Sequence, residues 1–194
     1  VNLSQRFSAE TALNSFDLYQ KLRQVSPSDF SAYLDCGDFQ IISSSPERFL
    51  NFDGKNVFTR PMKGTRPRGT NPRADARLKR DLLQSPKDQA ELLMIVDLLR
   101  NDLGRVCKYG SIRVSSMRSL EAYSTVYQTT ASIEGVLHPD QDRIDLLKAC
   151  FPGGSITGCP KIRSLEIFEV LEPTKLAIYT GSLGYFGFNN TMEL

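Results

Sequence analysis

The chain has 194 residues, 40% of them hydrophobic and 24% charged, with a mean hydropathy of −0.29, a composition that supports a packed core and excludes a disordered segment. Lys and Arg outnumber Asp and Glu by 24 to 22, and a formal charge of +2 gives no general attraction to polyanions, so only a local basic cluster could serve one. The single histidine, His138, excludes a histidine-based triad and a multi-histidine metal centre, which leaves proton transfer to Glu, Asp, Lys or Tyr.

Along the chain, "SAETALNSFDLYQKLRQV" places Leu13, Phe16, Leu18 and Leu22 at roughly helical spacing, which predicts a helix from about Ala9 to Gln24. "FSAYLDCGDFQIISSSPERFLNFDGKNVFTR" has short apolar runs broken by "CGD" and "DGK", and reads as successive antiparallel strands joined by tight turns. Asn71-Pro72 and Ser85-Pro86 each pair an N-cap residue with proline at the first helical position. The second of these opens a long helix with an apolar stripe of Leu92, Ile95, Val96, Leu99, Leu103 and Val106. "GSIRV" and "STVYQTTASIEGV" return to strands, "DRIDLLKACF" and "PKIRSLEIFEVLE" to short helices, and "KLAIYTGSLGYFGF" predicts a final strand or hairpin. Strands grouped between helices, without strict alternation, predict an α+β fold with antiparallel sheets flanked by helices. No run of about 18 apolar residues occurs, so no spanning helix is expected. The polar "VNLSQRFSAE" does not read as a signal peptide. The four cysteines form no CxxC pair and read as reduced thiols of a cytoplasmic protein, with Cys107 and Cys150 buried at the ends of apolar runs.

Three constellations could carry chemistry. A hairpin turning at Asp53-Gly54 would set Glu47 across from about Arg60 to Met62 and so beside Lys63. That pair suits either an acid with an amine nucleophile or a surface ion pair. Asp88 and Glu91 share a face in the first turns of a helix, where they suit either Mg²⁺ or simply the helix dipole. "FPGGSITGCPKIR" runs Gly153, Gly154, Ser155, Thr157 and Gly158 into a helix opened by Pro160. It departs from Walker A and from GxGxxG, and suits either a small-anion site or a tight turn.

The segments "SPERF", "RPMKGTRPRG", "AELLMIVDLLRNDLGRV", "FPGGSITGCPKIRSLEI" and "YTGSLGY" resemble, in order and spacing, the chorismate-utilising enzymes, and the likeness covers essentially the whole chain. The resemblance implies an anthranilate synthase component I-like chorismate-binding fold. Lys63, in "PMKGT", resembles the lysine of aminodeoxychorismate synthase component I, where anthranilate synthases carry alanine. That implies an enzyme of para-aminobenzoate and folate biosynthesis. Chorismate would bind with Mg²⁺, Lys63 would attack ring C2, and Glu47 would serve as general acid and base. Ammonia from a glutaminase partner would then displace the lysine to give 4-amino-4-deoxychorismate. The alternative within the family is anthranilate synthase component I, in tryptophan biosynthesis.

By the same resemblance Glu91 is a metal ligand and Asp88 supports it. Ser155, with Gly154, Thr157 and Gly158, lines the substrate carboxylate site. Tyr179 contacts substrate, and the arginines of the basic loop flank a dianionic ligand. Gln128 stands where the family usually carries histidine, and Ala131 where serine is usual. Glutamine can orient a hydroxyl but cannot transfer a proton. Family members are more than twice this length, which reads the chain as a partial chorismate-binding domain, with the N-terminal half and C-terminal end of the full enzyme lying outside it. Two remoter alternatives are a non-catalytic paralogue, suggested by Gln128, and a nucleic-acid binder using the basic stretch Thr59 to Arg80.

Overall fold

A computed structural model of the protein describes all of residues 1–194. The chain divides into two units, Gln5–Glu47 and a larger one comprising Val1–Ser4 with Arg48–Leu194. No helix is long and apolar enough to cross a membrane.

In the smaller unit α1 (Ser15–Val25) accompanies a two-stranded hairpin, β1 (Phe30–Asp35) and β2 (Gln40–Ser45), turned at Gly37 with φ +84°. The helix starts later than its apolar spacing predicts. The Asn14 side chain accepts from the Asp17 N–H at 2.8 Å, a local cap that ends the extended segment there and leaves Leu13 outside. Phe16, Tyr19 and Tyr33 pack ring to ring, with centroids 5.4 to 6.1 Å apart.

The larger unit is built on a seven-stranded antiparallel sheet: β3 (Arg48–Phe52), β4 (Asn56–Arg60), β5 (Met62–Pro67), β6 (Arg113–Ala122), β7 (Val126–Val136), β8 (Tyr185–Phe186) and β9 (Met192–Glu193). The β3–β4 turn forms where the sequence places it. The Asp53 carboxylate accepts from the N–H groups of Lys55 (2.9 Å) and Asn56 (2.7 Å), and Gly54 takes φ +102°. β7 is the organising strand. β4 and β5, consecutive around Pro61, lie along one of its edges and β6 along the other. β6 runs well past "GSIRV" because its alternating exposed and half-buried residues pair along β7 from Arg113 to Ala122, with register shifts on either side of Ser116.

Helices α2 (Pro72–Gln84), α3 (Pro86–Gly104), α4 (Arg143–Cys150) and α5 (Lys161–Leu171) complete the unit. The Asn71 and Ser85 side chains accept from the N–H groups of Ala74 and Asp88, each just ahead of a proline, as the dipeptides predict. The α3 stripe of Leu92, Ile95, Val96, Leu99 and Leu103 is buried against Leu50, Phe52, Val57 and Ile133 of the sheet and Leu146 of α4. Each such side chain contributes roughly 1.5–3 kcal/mol by leaving water. Val106 joins this core from beyond the helix end.

The final segment differs from expectation. Only Tyr185–Phe186 is strand before the β9 pairing. Ala177 and Thr180 adopt φ +50° and +64°, which turns the backbone out of an extended path between Lys175 and Gly184.

Candidate functional site

The reactive candidate, Lys63, sits on β5 opposite Thr129 of β7, and the next registered pair is Thr65 with Gln128. Gly64 is the residue left over, a bulge at φ +77°. A side chain there would lie 2.9 Å from Asp88 Cβ and 2.9 Å from Leu82 Cδ1, so only glycine lets β5 run this close to α2 and α3. The bulge re-aims the lysine. Its Nζ donates to the backbone carbonyl of Ser155 at 2.9 Å, 92 positions later in the chain. The same carbonyl accepts from Asn2 Nδ2 at 2.6 Å.

The glycine-rich segment is a short 3₁₀ turn, Gly154–Ile156, packed on α3 and leading through Gly158 (φ +141°) to α5. Gly154 is buried, and a Cβ there would stand 2.6 Å from Leu98 Cδ2. The buried Thr157 hydroxyl donates to the Gly153 carbonyl at 2.9 Å and so braces the loop. The Ser155 hydroxyl makes no hydrogen bond within the protein, and the first turn of α5 has no side-chain cap. An acidic ligand would find donors in both.

The remaining candidate residues sit on α3, on β7 and in loops. Asp88 is buried and accepts from Arg66 Nη2 at 2.9 Å. Glu91, with a side chain 41% exposed, lies 3.8 Å from Lys87. No third Asp, Glu, His or Cys gathers with these two. The donor set suits Mg²⁺ only in the mode in which one or two carboxylates hold the ion and water or substrate supplies the rest, and Glu91 is the carboxylate open to it. Gln128 donates through Nε2 to the Thr65 hydroxyl at 3.3 Å, while its buried Oε1 is unsatisfied within the chain. Tyr179 is 63% exposed in a turn, and no hydrogen bond or ring contact joins it to Lys63 or to the glycine turn. Glu47 ends the smaller unit, where its N–H donates to the Ser45 hydroxyl at 3.3 Å. The residue after it, Arg48, pairs with Arg60.

The basic loop is also different in detail. Arg60 pairs with Glu121, Arg66 with Asp88, and Arg68 with Asp75. Each guanidinium is thus paired within the chain and braces the loop against β6, α3 and α2.

Sequence reading missed one cluster. Asp102, at the end of α3 and 3% exposed, accepts from Lys161 at 2.6 Å and from Arg105 at 2.6 Å. Lys161 also donates to the Cys150 carbonyl at 2.9 Å. The only sequence signal was a charged residue interrupting the apolar stripe one position before Leu103.

Comparison with known proteins agrees with the motif order. The model of the family described as chorismate binding enzyme matches residues 1–194. The chain is 46% identical to aminodeoxychorismate synthase component 1 of Bacillus subtilis (strain 168), over 100% of this chain and 41% of that protein. It is 45% identical to an anthranilate synthase component 1 of Haloarcula marismortui, over 100% of this chain and 40% of that protein. The crystal structure of anthranilate synthase component I from Streptococcus pneumoniae TIGR4 superposes with a TM-score of 0.88 at 38% identity, covering 98% of this chain and 42% of that one. The chain thus spans about two-fifths of the length of these relatives.

Proposed function

We propose, for a chain that belongs to the chorismate-binding enzymes, that it forms part of an enzyme converting chorismate and ammonia to 4-amino-4-deoxychorismate and water. One observation carries the reading: the Lys63 amine is turned onto the glycine-rich turn, 2.9 Å from the Ser155 carbonyl, and not out into solvent. In this reading the neutral amine forms a bond to ring C2, the ring double bond shifts, and the C4–oxygen bond breaks. The leaving hydroxyl takes a proton from Glu47, the role that family resemblance assigns to that residue, and departs as water. Ammonia then bonds to C4, the double bond shifts back, the C2–nitrogen bond breaks to return Lys63, and the proton shed by the added ammonia restores Glu47. A nucleophile parked on C2 is what directs ammonia to C4.

The Ser155 hydroxyl and the uncapped start of α5 would receive a substrate carboxylate. Gln128, tied to Thr65 next to the lysine bulge, would orient a hydroxyl without exchanging its proton. Magnesium would be held through Glu91, with Asp88 fixed beside it by Arg66, and would supply charge neutralisation for a carboxylate. Ammonia would come from a glutaminase partner, and the reading implies a cytoplasmic enzyme.

The 45% identity to an anthranilate synthase favours a second reading, in which ammonia adds at C2 itself. Product identity separates the two. The complete natural protein, given chorismate, Mg²⁺ and ammonia, is expected to yield 4-amino-4-deoxychorismate and to show a chorismate-derived mass adduct on Lys63 that disappears in Lys63→Ala. Anthranilate as the product, with no adduct, would overturn the proposal.

A further inference from the structure

We infer that Lys161 and Asp102 form a latch that holds the glycine-rich turn in the conformation presenting the Ser155 carbonyl to Lys63, which makes Lys161 a positioning residue. The inference rests on the reading of that turn as the substrate site.

Helix α4 ends at Cys150, and its last carbonyls have no partner within the helix. Two cations take them: Arg105 donates to the Ala149 carbonyl and Lys161 to the Cys150 carbonyl, the latter at 2.9 Å. Positive charge is favoured at this end of a helix. Both cations also bind one carboxylate, Asp102 of α3, through different oxygens at 2.6 Å each. Asp102 is 3% exposed and the Lys161 side chain 13% exposed, so this pair is shielded from water and salt, whereas the Arg105 side chain is 57% exposed.

The consequence is geometric. The turn begins after Cys150 and ends at Lys161, so a single ammonium ties its two ends to each other and to one point on α3. The chain between them contains Ser155, whose carbonyl receives the Lys63 amine. Freed at Lys161, the turn would keep its covalent path and the brace between Thr157 and Gly153, but its two ends could separate. A buried ion pair contributes little net stability, but its fixed directions and distances specify position.

The test uses the complete natural protein as wild type, Lys161→Met and Asp102→Asn, each kept at a temperature where circular dichroism shows it folded. Lys161→Met retains chain length and leaves Asp102 paired with Arg105. The first readout is the rate of reductive methylation of the Lys63 amine by mass spectrometry, measured against exposed Lys87 in the same molecule. Loss of the fixed acceptor is expected to raise that ratio about threefold or more. The second is steady-state kinetics with chorismate, in which kcat/KM is expected to fall about tenfold or more through misplacement of the nucleophile.

An unchanged Lys63 ratio in the folded variants, with only a lower thermal midpoint, would mark the pair as structural support and overturn the inference. So would failure of both variants to fold. If Lys161→Met alone fails, Asp102→Asn decides by the same comparison. Wild-type protein that leaves chorismate untouched, yet shows the Lys63 ratio rising in the variants, would sink the proposed function and retain the latch.

Discussion

Replacing Gly64 with alanine tests whether the lysine bulge exists for the reason given. Two costs add at this position. The residue sits at φ +77°, where an L side chain is disfavoured by roughly 1–2 kcal/mol. The new Cβ would also stand 2.9 Å from Asp88 Cβ and 2.9 Å from Leu82 Cδ1, in a region where Leu82 is fully buried and cannot swing into solvent. Overpacking of that kind costs typically about 1–3 kcal/mol. Gly64→Ala should therefore destabilise by about 2–5 kcal/mol. Gly110 supplies the control in the same unit: its φ is +72°, yet nothing lies within 4 Å of an added Cβ. Gly110→Ala should pay only the backbone cost, about 1–2 kcal/mol. The assay is urea unfolding of wild type and both variants, compared at constant m-value. Equal destabilisation at the two glycines would refute the packing argument, and with it the claim that close approach of β5 to Asp88 sets the aim of Lys63.

Acid stability follows from Asp75. Hydrogen bonds from Arg68, from the Tyr127 hydroxyl at 2.5 Å and from the Gly69 N–H hold its carboxyl far below the ordinary carboxylate range. A depressed carboxyl contributes stability above its unfolded value, about 3.9, and loses it as pH falls further toward the folded value. Asp75→Asn should flatten the stability profile below about pH 4 and leave the shape near neutrality unchanged; an unaltered acid limb would contradict this. The thiols should fall into two classes. Burial pushes Cys150 up to about 12 and Cys107 up to about 11, whereas Cys36 and Cys159 are exposed. A disulfide reagent at pH 8 should titrate two thiols in the native protein and four after unfolding, and rapid native reaction of all four would contradict the burial.

Much of this protein was readable along the chain, because short-range chemistry acts within a few residues. Asn71-Pro72 and Ser85-Pro86 cap and open their helices with side chains that bind N–H groups three positions on. Asp53-Gly54 closes a hairpin by the same local means, and the spacing of Leu92, Ile95, Val96, Leu99 and Leu103 marks one buried face whatever it meets. The ordered motifs around Lys63 and the glycine turn place the chain in its family without any coordinates.

Tertiary structure decided which of those chemical groups meet. The Lys63 amine finds a carbonyl 92 positions away because a bulge at Gly64 turns it there, and Lys161, at the start of α5, finds Asp102 across 59 positions because the glycine turn leading to it packs on α3. It also turned the loop arginines onto Glu121, Asp88 and Asp75, and bent Lys175 to Gly184 away from the strand its composition suggests. A cap or a turn is selected by energies internal to a few residues. A long-range hydrogen bond has no local precursor, and its partner is set only when burial of the core fixes how the strands and helices lie together.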